Sequence, residues 1–115
     1  MKKNVLRVAP PDMSFAEDKD YARRLRTGEL LPTLERGDRV VLDFQGVRFA
    51  TQSFVHALVG EAFKRFGEEA LSRIEFRGCS EQVRSIVELV VDYSLGGFSV
   101  AEPAAETRNG AVRRR

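Results

Sequence analysis

Apolar residues recur along this chain in short runs with two different spacings. "NVLRV" (4–8) alternates apolar and polar side chains, and "SRIEFRG" (72–78) alternates again. Between them, "DRVVLDF" (38–44) is β-branched and almost continuously apolar. Alternation is typical of strands with one buried face, whereas a continuous apolar run indicates a strand in the middle of a sheet. The pattern therefore predicts three strands, with the middle one in the interior.

Helical spacing follows the first strand. Ser14 and Glu17 have the spacing of a capping box, which predicts a helix start there and a helix that runs to about residue 26. Thr27 and Gly28 interrupt it, and "ELLPTLERG" (29–37) predicts a second helical stretch. Within that stretch Pro32 either kinks the helix or begins a shorter one, and the sequence leaves both alternatives open.

Two stronger helical patterns follow the second and third strands. "QGV" (45–47) predicts a turn, after which the apolar residues recur at helical spacing to the end of the helix at Gly67; they are Phe54, Val55, Leu58, Val59, Ala62, Phe63 and Phe66. Ser80 is a suitable cap for the last helix; its predicted inward residues are Val83, Ile86, Val87 and Val90. "FSV" (98–100) could add a last short strand.

This order of elements predicts an α/β fold. Strands that alternate with helices favour crossover connections, and so a small, mainly parallel or mixed sheet covered by helices. The chain has 115 residues, which is the size of one domain. We expect one domain over residues 1–100. Residues 101–115 are rich in Pro, Ala, Glu, Gly and Arg, and are predicted to form a disordered basic tail.

Charge and cysteine usage exclude several classes of protein. Lys and Arg total 19 against 17 for Asp and Glu, and four of the basic residues lie in the tail, so the domain itself carries no basic stripe for nucleic acid. No apolar run is long enough for a membrane helix, and the basic N-terminus lacks the apolar segment of a secretory signal. Cys79 is the single cysteine and His56 the single histidine, which fits a reducing cytoplasm and excludes an internal disulfide or a Cys/His metal set.

Candidate chemistry centres on Ser53. His56 follows it at a spacing that places both on one helical face, and Asp43 ends the preceding strand, so a small hydrolytic or ligand-binding site is one hypothesis. The Gly-x-Ser-x-Gly elbow of many hydrolases is missing, and no glycine-rich cofactor motif is present, so no cofactor is expected. Cys79 precedes a helix, which could lower its pKa, although packing at the strand end is the simpler interpretation. Glu68 and Glu69 are expected in a solvated loop.

The segment "VVLDFQGVRFATQSF" (40–54) resembles the central motif of STAS domains, which include the anti-sigma-factor antagonists of bacteria. That motif is a strand, a turn and then Asp-Ser-Ser-Gly at a helix start, with the second serine phosphorylated by a partner kinase. Aligned without gaps, Thr51 stands at the aspartate, Gln52 at the first serine and Ser53 at the phosphorylated serine. Phe54 stands at the glycine, so the chain keeps the serine and lacks the aspartate and glycine.

The resemblance is closer to a STAS-like bacterial family of unknown function, through "GELLP", "LDFQGV" and the "SF" after the turn, and it covers residues 14–93. It implies a cytoplasmic, non-enzymatic module for protein–protein contact in signalling, with a partner such as a histidine-kinase-like ATPase or an anti-sigma factor. The candidate contact or phosphorylation residues are Arg48, Thr51, Gln52, Ser53 and His56. Two rivals remain, the Ser53/His56/Asp43 site and nucleic-acid association through the arginines of residues 108–115.

Overall fold

The computed structural model describes residues 2–10 and 12–96 of the chain. Its strands are β1 (Lys3–Arg7), β2 (Phe15–Ala16), β3 (Arg39–Asp43), β4 (Phe49–Ala50) and β5 (Ile74–Arg77). Its helices are α1 (Lys19–Leu25), α2 (Leu31–Glu35), α3 (Gln52–Val55), α4 (Glu61–Phe66), α5 (Glu68–Arg73) and α6 (Glu81–Ser94). A π-helical turn at Arg26–Leu30 joins α1 to α2, and another at His56–Gly60 joins α3 to α4. The predicted strand at 98–100 and the predicted tail lie outside the described residues.

All strand pairs of the described residues are parallel. The main sheet has the order β1-β3-β5, and β2 pairs with β4 in a separate two-stranded sheet. β3 is therefore the middle strand, as its continuous apolar sequence predicts, with Val40, Val41 and Leu42 all buried. Because parallel neighbours need crossover connections, helices separate the three strands along the chain. The predicted α/β class is confirmed.

One face of the main sheet forms the core with the helices. In register across the sheet, Leu6 pairs with Leu42 and Leu42 with Phe76, and these side chains share one face because strand residues alternate. Leu6 and Leu42 belong to a single buried cluster with residues of every long helix, and Phe76 packs against that cluster. The apolar face of the helix over residues 52–66 lies in this cluster as predicted, with Phe66 at its margin.

The first helix begins later than the capping-box spacing predicts. Ser14 is not a helix cap, because the two residues that follow it form the strand β2. Its carbonyl accepts the N–H groups of Arg48 and Phe49, which belong to the pairing of β2 with residues 48–50. Asp18 is the N-cap instead, and its carboxylate accepts the N–H groups of Asp20 and Tyr21. The capping-box prediction is wrong because parallel pairing with residues 48–50, which are distant in sequence, satisfies the backbone of residues 14–16.

Thr27 and Gly28 do not interrupt the helix either. They lie in the first π turn, and the helical path continues from residue 19 to residue 35. Pro32 lies in the first turn of α2, and the wider π turn before it is where the helix changes its hydrogen bonding. Of the two alternatives for Pro32, the structure is nearer to the second. The short helix α2 begins at Leu31, with Pro32 in its first turn, and it continues from the π turn without a break.

The turn before the helix over residues 52–66 follows the sequence prediction, whereas the segment after that helix does not. Val47 N–H donates to the Phe44 carbonyl at 2.9 Å and closes the predicted "QGV" turn, in which Gly46 has a φ of 90°. A residue with a side chain adopts this left-handed conformation only with strain, so the glycine is required there. After Gly67, Glu68 and Glu69 do not form the predicted loop but begin α5.

A buried arginine explains why α5 forms. Arg73 ends α5, and its guanidinium donates to the carbonyls of Leu34 and Asp38 and to the Glu69 carboxylate, the last at 2.9 Å. It also lies 5.7 Å from the centre of the Phe66 ring. These contacts tie α5 to the end of α2, and they delay the start of β5 to Ile74, two residues beyond the predicted start. None of the helices in the described ranges is long and apolar enough to cross a membrane.

Candidate functional site

The helix over residues 52–66 begins at the motif that the sequence singled out. Thr51 is the N-cap, and its hydroxyl accepts the Phe54 N–H at 3.1 Å. Gln52 and Ser53 occupy the exposed first turn, while Phe54 and Val55 are buried. The structure thus places Ser53 outward at a helix start, beside backbone N–H groups that favour a negative charge.

The strand before this helix is fixed from both sides. On one side, Arg48 N–H donates to the Ser14 carbonyl at 2.7 Å. On the other, the Ser80 hydroxyl donates to the Arg48 carbonyl at 2.9 Å. Ser80 also caps α6 by accepting the Val83 N–H, as predicted. The backbone of Arg48 is therefore held while its side chain remains exposed.

The side-chain amide of Gln82 makes the two hydrogen bonds to the backbone of β4 that a neighbouring strand would make. Its amide oxygen accepts the Ala50 N–H at 2.9 Å, and its amide nitrogen donates to the Ala50 carbonyl at 3.0 Å. Ala50 is buried, so these two bonds satisfy backbone groups that water cannot reach. They anchor the segment that leads into Thr51 and Ser53. The sequence offers no local signal for this contact, because Gln82 lies 32 residues away.

Two phenylalanine rings are exposed beside this segment. Phe15 on β2 and Phe49 on β4 are paired in register, and their rings meet edge to face with centroids 6.3 Å apart. They are 52% and 53% exposed, respectively. We call them the aromatic pair. The sequence pattern does not predict this pair, because residues 14–16 were expected to begin a helix and no strand was expected at residues 48–50.

Ser53 and His56 lie on a ridge between two grooves. The first, which we call the basic groove, lies between α1 and the helix over residues 52–66 and has a volume of about 330 Å³. Besides Ser53 and His56 it is lined by four basic side chains, Lys19, Arg23, Arg26 and Lys64, and by one carboxylate, Glu61. The second groove is lined by Gln52, Val90 and Tyr93 in addition to the two ridge residues.

The two π turns meet at the floor of the basic groove. A π turn shifts backbone bonding from i+4 to i+5, which leaves a carbonyl in the turn short of its ordinary partner. Arg26, in the first π turn, donates to the Ala57 carbonyl in the second at 3.2 Å. Gly60 follows in the same turn, and a Cβ there would stand 3.0 Å from the His56 ring. The missing side chain at Gly60 therefore makes room for the imidazole.

The residues of the hydrolytic hypothesis are only partly brought together. Ser53 and His56 share both grooves, but within residues 2–10 and 12–96 no hydrogen bond joins their side chains. Asp43 lines neither groove, and its carboxylate accepts the Gln45 N–H at 3.0 Å in the adjoining turn.

Cys79 and the acidic residues supply no further chemistry in the described part of the chain. Burial raises the pKa of the Cys79 thiol, and the nearby Arg84 charge only partly opposes this effect. The pKa of Cys79 is therefore raised and not lowered, because loss of water disfavours the charged thiolate. Within the described ranges no group of His, Cys, Asp and Glu is arranged to hold a metal ion.

Comparison with known proteins identifies the class to which this fold and site belong. A family model described as "STAS-like domain of unknown function (DUF4325)" matches residues 21–84, which is more than half of the chain. The chain therefore belongs to this family of STAS-like domains, and the predicted resemblance to a STAS-like family of unknown function is confirmed. Neither the comparison with curated proteins nor the comparison with solved structures found a match.

The basic groove was not anticipated from the sequence. Lys19 and Arg23 of α1 and Arg26 of the π turn that follows recur at i, i+4 and i+7, a spacing that places residues on one helical face. That spacing is a signal that could have identified the basic face. The packing partner could not be identified, because the approach of α1 to residues 56–60 depends on the two π turns.

Proposed function

We propose that this chain is a non-enzymatic STAS-like module that binds a regulatory protein through the surface formed by the aromatic pair, Gln52, Ser53 and His56. The observation that carries the proposal is the aromatic pair itself. Two rings in edge-to-face contact, each about half exposed, give rigid apolar area of the kind that is enriched in protein interfaces. Phe49 lies four residues before Ser53, which aligns with the phosphorylated serine of the STAS motif that this segment resembles.

The rigidity of this surface supports a binding role. Gln82 and Ser80 fix the backbone of residues 48–50, and Thr51 fixes the helix start. A surface that is already ordered loses little conformational freedom on binding, which favours affinity. In keeping with the bacterial relatives that the motif resembles, we propose that the partner is a signalling protein such as a histidine-kinase-like ATPase or an anti-sigma factor.

We further propose that phosphorylation of Ser53 controls this binding. A phosphate would add about −1.5 to −2 charges at the helix start. The helix tolerates a negative charge there because its N-terminal N–H groups favour anions. A partner packed over the same turn would have to bury that charge, so the fold would persist while the complex dissociates.

The test is to recover a partner by crosslinking in the native cells with tagged protein, and then to compare variants with that purified partner. Phe49→Ala should weaken binding at least tenfold, about 1.4 kcal/mol. Leu71→Ala is the matched control, because Leu71 is equally exposed but lies on α5. Ser53→Asp should also weaken binding tenfold, while Ser53→Ala binds as the wild type. The proposal is wrong if Phe49→Ala and Leu71→Ala bind alike, and its phosphorylation step is wrong if both Ser53 variants bind alike.

A further inference from the structure

The basic groove concentrates positive charge beside the proposed contact surface. Four cationic side chains line it against the single carboxylate of Glu61. The formal net charge of the whole chain is only +2, so this groove is far more positive than the average of the molecule. A cleft lined mainly by one sign of charge attracts a ligand of the opposite sign.

Most of this charge is not neutralised within the described part of the chain. Lys19 and Lys64 have no carboxylate oxygen within 4.0 Å there. Arg23 pairs with Asp20 at 2.7 Å, but both side chains are largely exposed, and such pairs exchange readily because they are worth about 0–1 kcal/mol. The bond from Arg26 goes to a neutral carbonyl.

The groove is also shaped in advance of any ligand. The Arg26 bond to Ala57 holds its guanidinium against the floor, and Gly60 lets the His56 ring lie flat in the second π turn. A volume of about 330 Å³ is at the small end of ligand pockets, which span about 300–1,000 Å³. It suits one or two side chains of an extended segment rather than a whole helix.

We infer that the basic groove binds an acidic segment, rich in Asp and Glu, of the protein partner, and that a phosphate on Ser53 competes with this segment for the same cations. The inference rests on the proposed function, because it names the part of the partner that the surface recognises. Ser53 lines the groove, so a phosphate attached to it would lie next to the cations that an acidic segment needs. Arginine forms paired hydrogen bonds with either carboxylate or phosphate, which makes the two anions rivals.

The test uses a probe that does not require the partner. The full chain labelled with ¹⁵N is titrated with acetylated hexaglutamate, and separately with hexalysine and with inorganic phosphate. Hexaglutamate should shift the amide signals of residues 19–26 and 53–64, and raising the salt from 50 to 300 mM should weaken its binding at least tenfold, because exposed charges are screened. Hexalysine should leave these signals in place. Stronger binding by phosphate than by hexaglutamate would overturn the acidic-segment assignment in favour of a small anion.

Matched charge reversals distinguish binding of hexaglutamate in the basic groove from its general attraction to a positively charged protein. Lys19→Glu combined with Lys64→Glu should reduce hexaglutamate affinity at least tenfold. The control combines Arg24→Glu with Arg84→Glu, since both residues are exposed and line no part of the basic groove. It should reduce affinity less than threefold. Equal losses in the two double variants, with unchanged thermal melts, would show non-specific attraction and overturn the inference.

The last experiment compares hexaglutamate binding by phosphorylated and unmodified protein. Protein carrying phosphoserine at position 53 should bind hexaglutamate at least tenfold more weakly than unmodified protein. Equal binding by the phosphorylated and unmodified forms would remove the competition step. None of these results depends on the aromatic pair, so the inference can fail while the partner experiment with Phe49→Ala succeeds, and the reverse.

Discussion

At the scale of single residues, Phe63 shows how strongly the core fixes the helix that presents Ser53. Its side chain is 1% exposed and lies in the buried cluster formed by the sheet face and the helices. Ser53 lies ten residues earlier on the same helical path, and its side chain is exposed. The orientation of Ser53 is therefore set by apolar contacts that are distant from the serine itself.

Truncation of Phe63 tests this anchoring. Phe63→Ala removes a fully buried ring and leaves a cavity, so the free energy of unfolding should fall by about 3–5 kcal/mol in chemical denaturation. Leu71→Ala, at an exposed apolar position on α5, should change it by about 0.5 kcal/mol or less. A loss below about 1 kcal/mol for Phe63→Ala would mean that this helical face does not form the core.

At the scale of elements, most predictions from local patterns were correct, and the capping-box spacing of Ser14 and Glu17 was the exception. The Ser80 cap and the turn at residues 45–47 were predicted from residues within four positions of one another, and both predictions are confirmed. The Thr51 cap has the same local origin. Such signals act through the nearest backbone groups, so the sequence alone contains them. The Thr51 cap places Ser53 in the first turn of the helix, and burial of the apolar face, which includes Phe63, leaves the serine exposed.

The elements that the sequence did not predict depend on distant partners. Residues 14–16 form a strand only because residues 48–50 pair with them, and α5 is held by Arg73 bonds to Leu34 and Asp38. Local propensity contains no information about partners 30 or more residues away. The aromatic pair and the basic groove also depend on contacts between distant residues. The sequence therefore indicated Ser53 as a candidate site residue but did not indicate the two features on either side of it.

Gln82 provides the clearest test of such a distant contact. Gln82→Ala removes both of its hydrogen bonds to Ala50 and leaves buried backbone groups unsatisfied, so unfolding free energy should fall by about 1–3 kcal/mol in denaturant titrations. The control Gln52→Ala removes the same side chain from an exposed position and should cost about 0.5 kcal/mol or less. Equal effects of the two substitutions would show that the Gln82 amide does not anchor β4.

At the scale of the whole molecule, the two faces of the main sheet differ in chemistry. The inner face packs against the helices, whereas the outer face presents Lys3 and Glu75, whose ion pair at 3.4 Å reaches across β3. Both side chains are more than half exposed, so the pair contributes little to stability. Val41 is nevertheless buried on this face, beneath the stems of long charged side chains. Charged side chains along β1 also make an edge strand less prone to pair with other chains.

The N-terminal strand is held to the rest of the molecule by strand pairing and by hydrogen bonds of the residue that precedes it. β1 pairs with β3 along its length, and just before it the Lys2 carbonyl accepts the Arg39 N–H at 2.7 Å. Lys2 N–H in turn donates to the Asp38 carboxylate at 3.1 Å. This last bond is the main cause of a lowered pKa at Asp38, and the Arg36 side chain contributes in the same direction.

The lowered pKa of Asp38 predicts a specific loss of stability in acid. A carboxyl group whose pKa is lower in the folded protein stabilises the fold fully above its ordinary value of 3.8, and this contribution disappears as the pH falls through the folded value. Thermal melts between pH 7 and pH 2 should therefore show a decline below about pH 4 that is smaller in Asp38→Asn. Lys2→Pro removes the donor N–H and should reduce the decline in the same way, whereas Lys2→Ala keeps the N–H and should follow the wild type. Parallel profiles for wild type, Asp38→Asn and Lys2→Pro would mean that the bond between Lys2 and Asp38 does not hold the N-terminal strand in place.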